Sequence, residues 1–278
     1  MKKHFFTLMP KALLLCALFA ATSCQEDEET SVSNEEVESA EVNALMEEEY
    51  SSVSAFVEDA TQAEPVQGGR VATTAESLPS CATISYVGQT KTLTIDFGTT
   101  NCTCRDGLER RGKIIAVFSG TRGEVGSKST ITLENYFVNN VQFTGSMVRT
   151  YQGNHTVSVA VRNASMITDE GTATWSSDRT VQQIAGMDTR TIFDDVWTVS
   201  GNYTGVNRRG VAYTTVIEQP LKKVLAIGCA RNFVSGVISI TNENGGNLKL
   251  NYDPTGKEPC DNIAEITING RSKLISLR

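Results

Sequence analysis

Histidine is nearly missing from this chain. Its 278 residues hold two, and His4 lies in the apolar leader, so the body has only His155. Zinc sites built on two or three histidines are therefore excluded within one chain. His155 is also the only candidate base for a Ser-His-Asp triad. It follows Gln152-Gly153-Asn154, a turn sequence leading into a strand, so a solvent-exposed turn is its expected place. The chain also lacks a P-loop, G-x-S-x-G, H-E-x-x-H and a G-x-G-x-x-G that opens a helix. Positive charge is missing from one whole stretch: residues 24 to 64 carry 14 acids and no Lys or Arg. With those acids and three leader lysines set aside, 18 acids and 22 bases remain from Pro65 onward, a net of +4. The formal −7 thus belongs to the tail, and the body has no clustered basic face of the kind nucleic acid requires. No apolar run beyond the leader reaches the ~18 residues of a membrane-spanning helix.

What is present begins with that leader. Lys2, Lys3 and Lys11 precede an apolar run, Ala12 to Ala21, about half the length a span needs, and small residues close it. Ala21-Thr22-Ser23-Cys24 resembles the lipobox of bacterial lipoproteins. The resemblance implies cleavage after residue 23 and acylation of Cys24. At ~0.8 kcal/mol per buried methylene, two or three acyl chains hold a protein on a bilayer indefinitely. Gln25, Glu26, Asp27, Glu28 and Glu29 follow, and resemble the acidic export signal of surface-exposed Bacteroidota lipoproteins. Anionic headgroups repel such a patch, so a receptor-read address explains it better than membrane adhesion.

The sequence divides into a leader (1–23), an acidic tether (24–32), a helix (33–61), a linker (62–80) and a β-rich body (81–278). Ser33 and Glu36 fit a capping box. Behind them Val42, Leu45, Met46, Tyr50, Val53, Phe56 and Val57 recur at helical spacing as one apolar stripe. From Cys81 onward short alternating runs such as "TLTIDF", "HTVSVAVRN" and "NLKLNYD" are broken every 8 to 12 residues by Gly, Asn or Asp. Val87-Gly88-Gln89, Asn244-Gly245-Gly246 and Asn269-Gly270 are hairpin signals. Roughly a dozen antiparallel strands in a sandwich or open barrel-like arrangement are expected. "GLERRGKIIAVF" (107–118) and "GVNRRGVAYTTV" (205–216) are alike, which suggests two related β units sharing one core.

An exported chain meets oxidising conditions, so the body's five cysteines are expected mostly as disulfides. Cys229 pairs with Cys260 across one hairpin, and Cys81 pairs with Cys102 or Cys104 across another. The cysteine left over from Cys102-Thr103-Cys104 stays free, with no His or Met partner nearby to make a copper site. Asn242 to Gly245 is too short for an EF-hand and reads as a turn. Paired carboxylates need no histidine, so Asp96, Glu134, Asp169, Glu170, Asp194 and Asp195 remain as glycosidase candidates. In a strand, however, Asp194 and Asp195 would face opposite ways. Trp175 and Trp197 are core residues or sugar platforms, with Val199 drawing the Trp197 face toward the core. The Arg110-Arg111 and Arg208-Arg209 pairs are placed in turns before strands, as solvated residues or as contacts to an anion or acidic glycan.

Over residues 82 to 278 the body resembles a family of Bacteroidota lipoproteins. The marks are "LTIDFGTTNCT", "RRGKIIAVFSG", "ITLENYFVNN", "IFDDVW", "GVAYTTVI", "CDNIAEITING" and the closing "ISLR". The resemblance implies no activity, and the C-x-C departs from the single cysteine it leads one to expect. The expected protein is a lipid-anchored module on the outer membrane's outer face, in contact with glycan or protein, without cofactor, metal or catalytic residues. The alternative is a carboxylate-based hydrolase of extracellular polysaccharide.

Overall fold

A computed structural model describes residues 34–62, 78–121, 123–189, 191–229 and 232–277. Cys24 and the acidic run Gln25, Glu26, Asp27, Glu28 and Glu29 lie outside the described residues, as do the capping Ser33 and most of the linker. The helix, α1, runs Asn34–Gln62, in place of the expected 33 to 61. From Val37 to Thr61 every residue of α1 is buried or half-buried. The stripe is where it was expected, with Val42, Met46, Tyr50, Val53, Phe56 and Val57 in the core. The acids between are enclosed too: Glu38, Glu47, Glu49 and Asp59 are all buried.

What encloses the helix is one antiparallel meander. β1 (Thr83–Val87) and β2 (Thr92–Asp96) form its first hairpin. β4 (Glu109–Phe118) pairs with β2, and the short β3 (Cys102–Thr103) pairs with β4 alone. The sheet then runs through β5 (Lys128–Val138), β6 (Val141–Gly153), β7 (Thr156–Thr168), β8 (Gly171–Ala185), β9 (Val196–Val206) and β10 (Ala212–Val224). β11 (Ser235–Asn242), β12 (Asn247–Asn251), β13 (Ile263–Ile268) and β14 (Arg271–Ser276) complete it. Strand order equals chain order apart from β3, and β1 and β14 remain open edges. The expected open, barrel-like antiparallel arrangement is therefore the one found. The two similar segments lie in one continuous sheet: the first enters β4, the second spans the β9–β10 turn. α1 touches β2, β4, β8, β9, β11 and β12, so strands from both halves of the sheet curl onto it.

Bulges produce the curl. Pairing slips between Thr144 and Ser146 on β6 and between Val161 and Ala164 on β7, where Gly145 and Asn163 have positive φ. Such bulges bend a strand and sharpen its twist. Gly145 also has a packing role. A Cβ there would lie 2.6 Å from both the Ala164 Cα and the Tyr50 hydroxyl. That hydroxyl donates to the Thr144 carbonyl at 2.7 Å, so a missing side chain lets the sheet close on the helix. Behind it Tyr50, Trp175 and Tyr203 stack in series with centroids 5.5 and 5.4 Å apart. Trp175 is thus core, and its indole N–H donates to Asn43 of α1 at 3.1 Å.

Candidate functional site

Helix α1 has one face that stands off from the sheet over most of its length and meets it through Glu58. Glu48, Ser51, Ser52, Ala55 and Glu58 follow helical spacing on the side away from Val42, Met46, Tyr50 and Val53. Serines and an alanine are too short to fill the gap to the strands, and a cavity of about 560 Å³ remains. Its far wall is laid down by strand register. One row across the sheet reads Arg149 (β6), Val159 (β7) and Arg179 (β8). The next reads Val157, Val181 and Val199, and a third pairs Trp197 with Lys223. Alternation puts successive rows ~7 Å apart on the same face. The cavity therefore has an apolar middle band between two polar ends. Ile227, 84% exposed, stands at its rim.

The ionisable groups of the wall meet those of the helix. Arg149 pairs with Glu58 at 3.1 Å and Arg179 with Glu47 at 2.5 Å. Burial pulls the Lys223 ammonium below its ordinary range, and Glu48 is the strongest opposing influence. Asp195, in the turn before β9, accepts a hydrogen bond from the Gln183 amide at 2.8 Å. Burial, followed by the neighbouring Asp194, raises its carboxyl to about 6, against hydrogen bonds from Trp197 and Gln183. Among the buried side-chain atoms with no hydrogen-bond partner in the described residues are the Nε groups of Arg149 and Arg179 and the Oε2 of Glu47.

Several expectations about single residues need correcting. Arg110 and Arg111 lie inside β4, and Arg110 is fully buried. Arg110 donates to Tyr136 and Asp106 and pairs with Glu49 at 3.5 Å, while Tyr136 donates to Glu49 at 2.6 Å. Burial raises the Glu49 carboxyl, with the Arg110 guanidinium opposing it. Arg208 does occupy a turn, between β9 and β10, but it binds Glu38, Glu41 and Glu170. Both arginine pairs thus contribute to docking α1, and neither is merely solvated. The clue in the sequence was stoichiometric: a helix with nine acids and no base, and a weakly basic body. Asp194 and Asp195 precede β9 in a turn, where Asp194 is exposed and Asp195 buried. Trp197 and Val199 share the cavity wall, as alternation required.

Cys81 is bonded to Cys102 and Cys229 to Cys260, and Cys104 is free and buried. His155 is exposed in the β6–β7 turn with positive φ. Asn242 to Gly245 forms the β11–β12 connection. Among the described residues no group of three His, Cys, Asp or Glu could hold a metal, and no helix is long and apolar enough to cross a membrane. The chain matches no protein-family model, no curated protein and no solved structure.

Proposed function

We propose that this protein is a lipid-anchored module of the cell envelope that binds a small, largely apolar ligand between α1 and the sheet, without performing chemistry on it. The cavity carries the reading. Its volume falls within the ~300–1,000 Å³ of small-molecule sites, and an apolar wall with a few convergent polar groups is their usual composition. A glycan would need a wall rich in hydrogen-bonding groups, and the Val157–Val181–Val199 row offers none. The anchor at Cys24 and the acidic export signal support placement on the outer face of the outer membrane.

The fluorophore N-phenyl-1-naphthylamine tests the site. It should brighten on binding with one-to-one stoichiometry, and Ser52→Leu, which fills the cavity, should abolish the signal while the protein stays folded. Binding unaffected by Ser52→Leu would place the site elsewhere. Mass spectrometry of the processed chain should find an acylated Cys24, and a free N-terminus would remove the anchor. A second reading, the polysaccharide hydrolase, has one observation in its favour. Asp195, with its raised carboxyl, and Glu58 line the same cavity as Trp197. Against it, Glu58 is committed to Arg149. Release of reducing ends that disappears in both Asp195→Asn and Glu58→Gln would favour the hydrolase.

A further inference from the structure

We infer that the ligand is a cationic amphiphile, a protonated amine on an apolar body, whose ammonium is held by Asp195. The inference rests on the cavity being the ligand site, and it deepens that reading. A carboxylate taken out of water is costly unless a cation answers it. Three of the four acids on the cavity wall have one. Glu58 pairs with Arg149 at 3.1 Å, Asp106 pairs with Arg110 at 2.8 Å, and Glu48 is the strongest influence sustaining the charge of Lys223. Asp195 is the fourth. It is buried, and among the described residues only neutral donors reach its carboxylate, the Gln183 amide at 2.8 Å and the Trp197 indole. The charges that act on it are Asp194 and Glu58, both of its own sign. Lys223 stands on the neighbouring strand β10, where Glu48, Glu47 and Glu49 of α1 all act on it.

The surroundings of Asp195 suit an ammonium. Gln183 occupies Oδ1, while Oδ2 is not among the partnerless atoms sealed from solvent, so a donor in the cavity can reach it. Phe193 and Trp197, two residues to either side, line the same cavity, and aromatic surface beside a carboxylate favours a cation. One side-chain row beyond Trp197, the Val157–Val181–Val199 band receives the hydrocarbon. An anionic head would meet a like charge at Asp195, and a neutral head would leave that charge unanswered.

Displacement of bound N-phenyl-1-naphthylamine at pH 8, where Asp195 is ionised, is the test. Three ten-carbon probes are compared below their micellar concentrations: decylammonium, 1-decanol and decanoate. Decylammonium should displace the dye at least about tenfold better than either of the others, the margin of one charge-assisted hydrogen bond. Asp195→Asn keeps the shape and an acceptor for Gln183 but not the charge, and should erase the preference for decylammonium over 1-decanol. Removing a disfavoured charge should also make this variant the more stable protein at pH 8, so unfolding does not confound the comparison. Equal displacement by the three probes overturns the inference, as does a preference for 1-decanol or decanoate. A decylammonium preference that survives in Asp195→Asn overturns it too, because the cation is then held elsewhere. In each of these cases dye binding persists and the cavity reading stands. Failure of the dye itself to bind would remove both.

Discussion

Arg110 shows how far a single side chain departs from its expected setting. A guanidinium with no exposed surface is tolerated only where its charge and its donors are met, and Asp106, Glu49 and Tyr136 meet them. Breaking such a group from one side leaves a buried charge alone, which typically costs about 3–5 kcal/mol, whereas replacing both partners by apolar residues is often neutral. Arg110→Met should therefore lose about that much in urea unfolding, and Arg110→Met with Glu49→Leu should recover most of it. Equal losses in the single and double variants would mean that the pair is not coupled. Asp195 makes the opposite case, a carboxyl whose charged form the fold disfavours. Its proton is held more tightly folded than unfolded, so its contribution is complete below the unfolded value of 3.8 and is lost as pH rises through about 6. At ~1.4 kcal/mol per pKa unit the loss approaches 3 kcal/mol. Asp195→Asn should therefore be more stable than the parent at pH 8 but not at pH 4. A stability difference independent of pH would contradict the raised carboxyl.

Among the elements, α1 holds the sheet in its curve. Its apolar stripe was legible because 3.6-residue spacing survives in the sequence. Its buried acids were not, because their partners Arg110, Arg149, Arg179 and Arg208 stand 61 to 170 residues away along the chain. Strand identity was legible and strand length was not. β7 buries Val159 and Val161, then Ala164 and Met166, and the three-residue step falls where Asn163 has positive φ. The bulge resets the alternation, so a 13-residue strand reads as two short ones separated by an apparent turn. The cavity was invisible for a related reason. It exists because the small face of α1 meets the Val157–Val181–Val199 row, a juxtaposition fixed by curvature. Deleting residues 34 to 62 should leave the wall arginines without carboxylates and the apolar rows in water. The expected product binds 8-anilinonaphthalene-1-sulfonate and unfolds without a cooperative transition. A sharp thermal transition in the deletion would show that the sheet holds its shape alone.

At the scale of the molecule, an open sheet has two unpaired edges to stabilise, and its covalent links lie toward both. Cys81–Cys102 ties the chain just before β1 to β3, and Cys229–Cys260 links the approach to β11 with the segment before β13. Pairing within each hairpin followed from sequence. The choice of Cys102 over Cys104 did not, because it depends on which sulfur the β3–β4 ladder turns toward Cys81. The bridges span 21 and 31 residues, and loops of that size restrict the unfolded chain by about 3 kcal/mol each. From β5 to β10 no link is present; there long strands and the helix supply the cohesion. Cys229→Ser with Cys260→Ser should therefore lower global stability by about 3 kcal/mol and raise amide exchange first in β11 to β14, while β6 to β8 keep their protection. Uniform acceleration of exchange across all strands would mean that the sheet opens as one unit and that its ends are not separately secured. The same scheme fixes the thiol count. Cys104 is buried and its thiol is raised by burial, so native protein should be unreactive toward Ellman's reagent. Denatured, unreduced body should release one equivalent; five would show that neither edge is covalently secured.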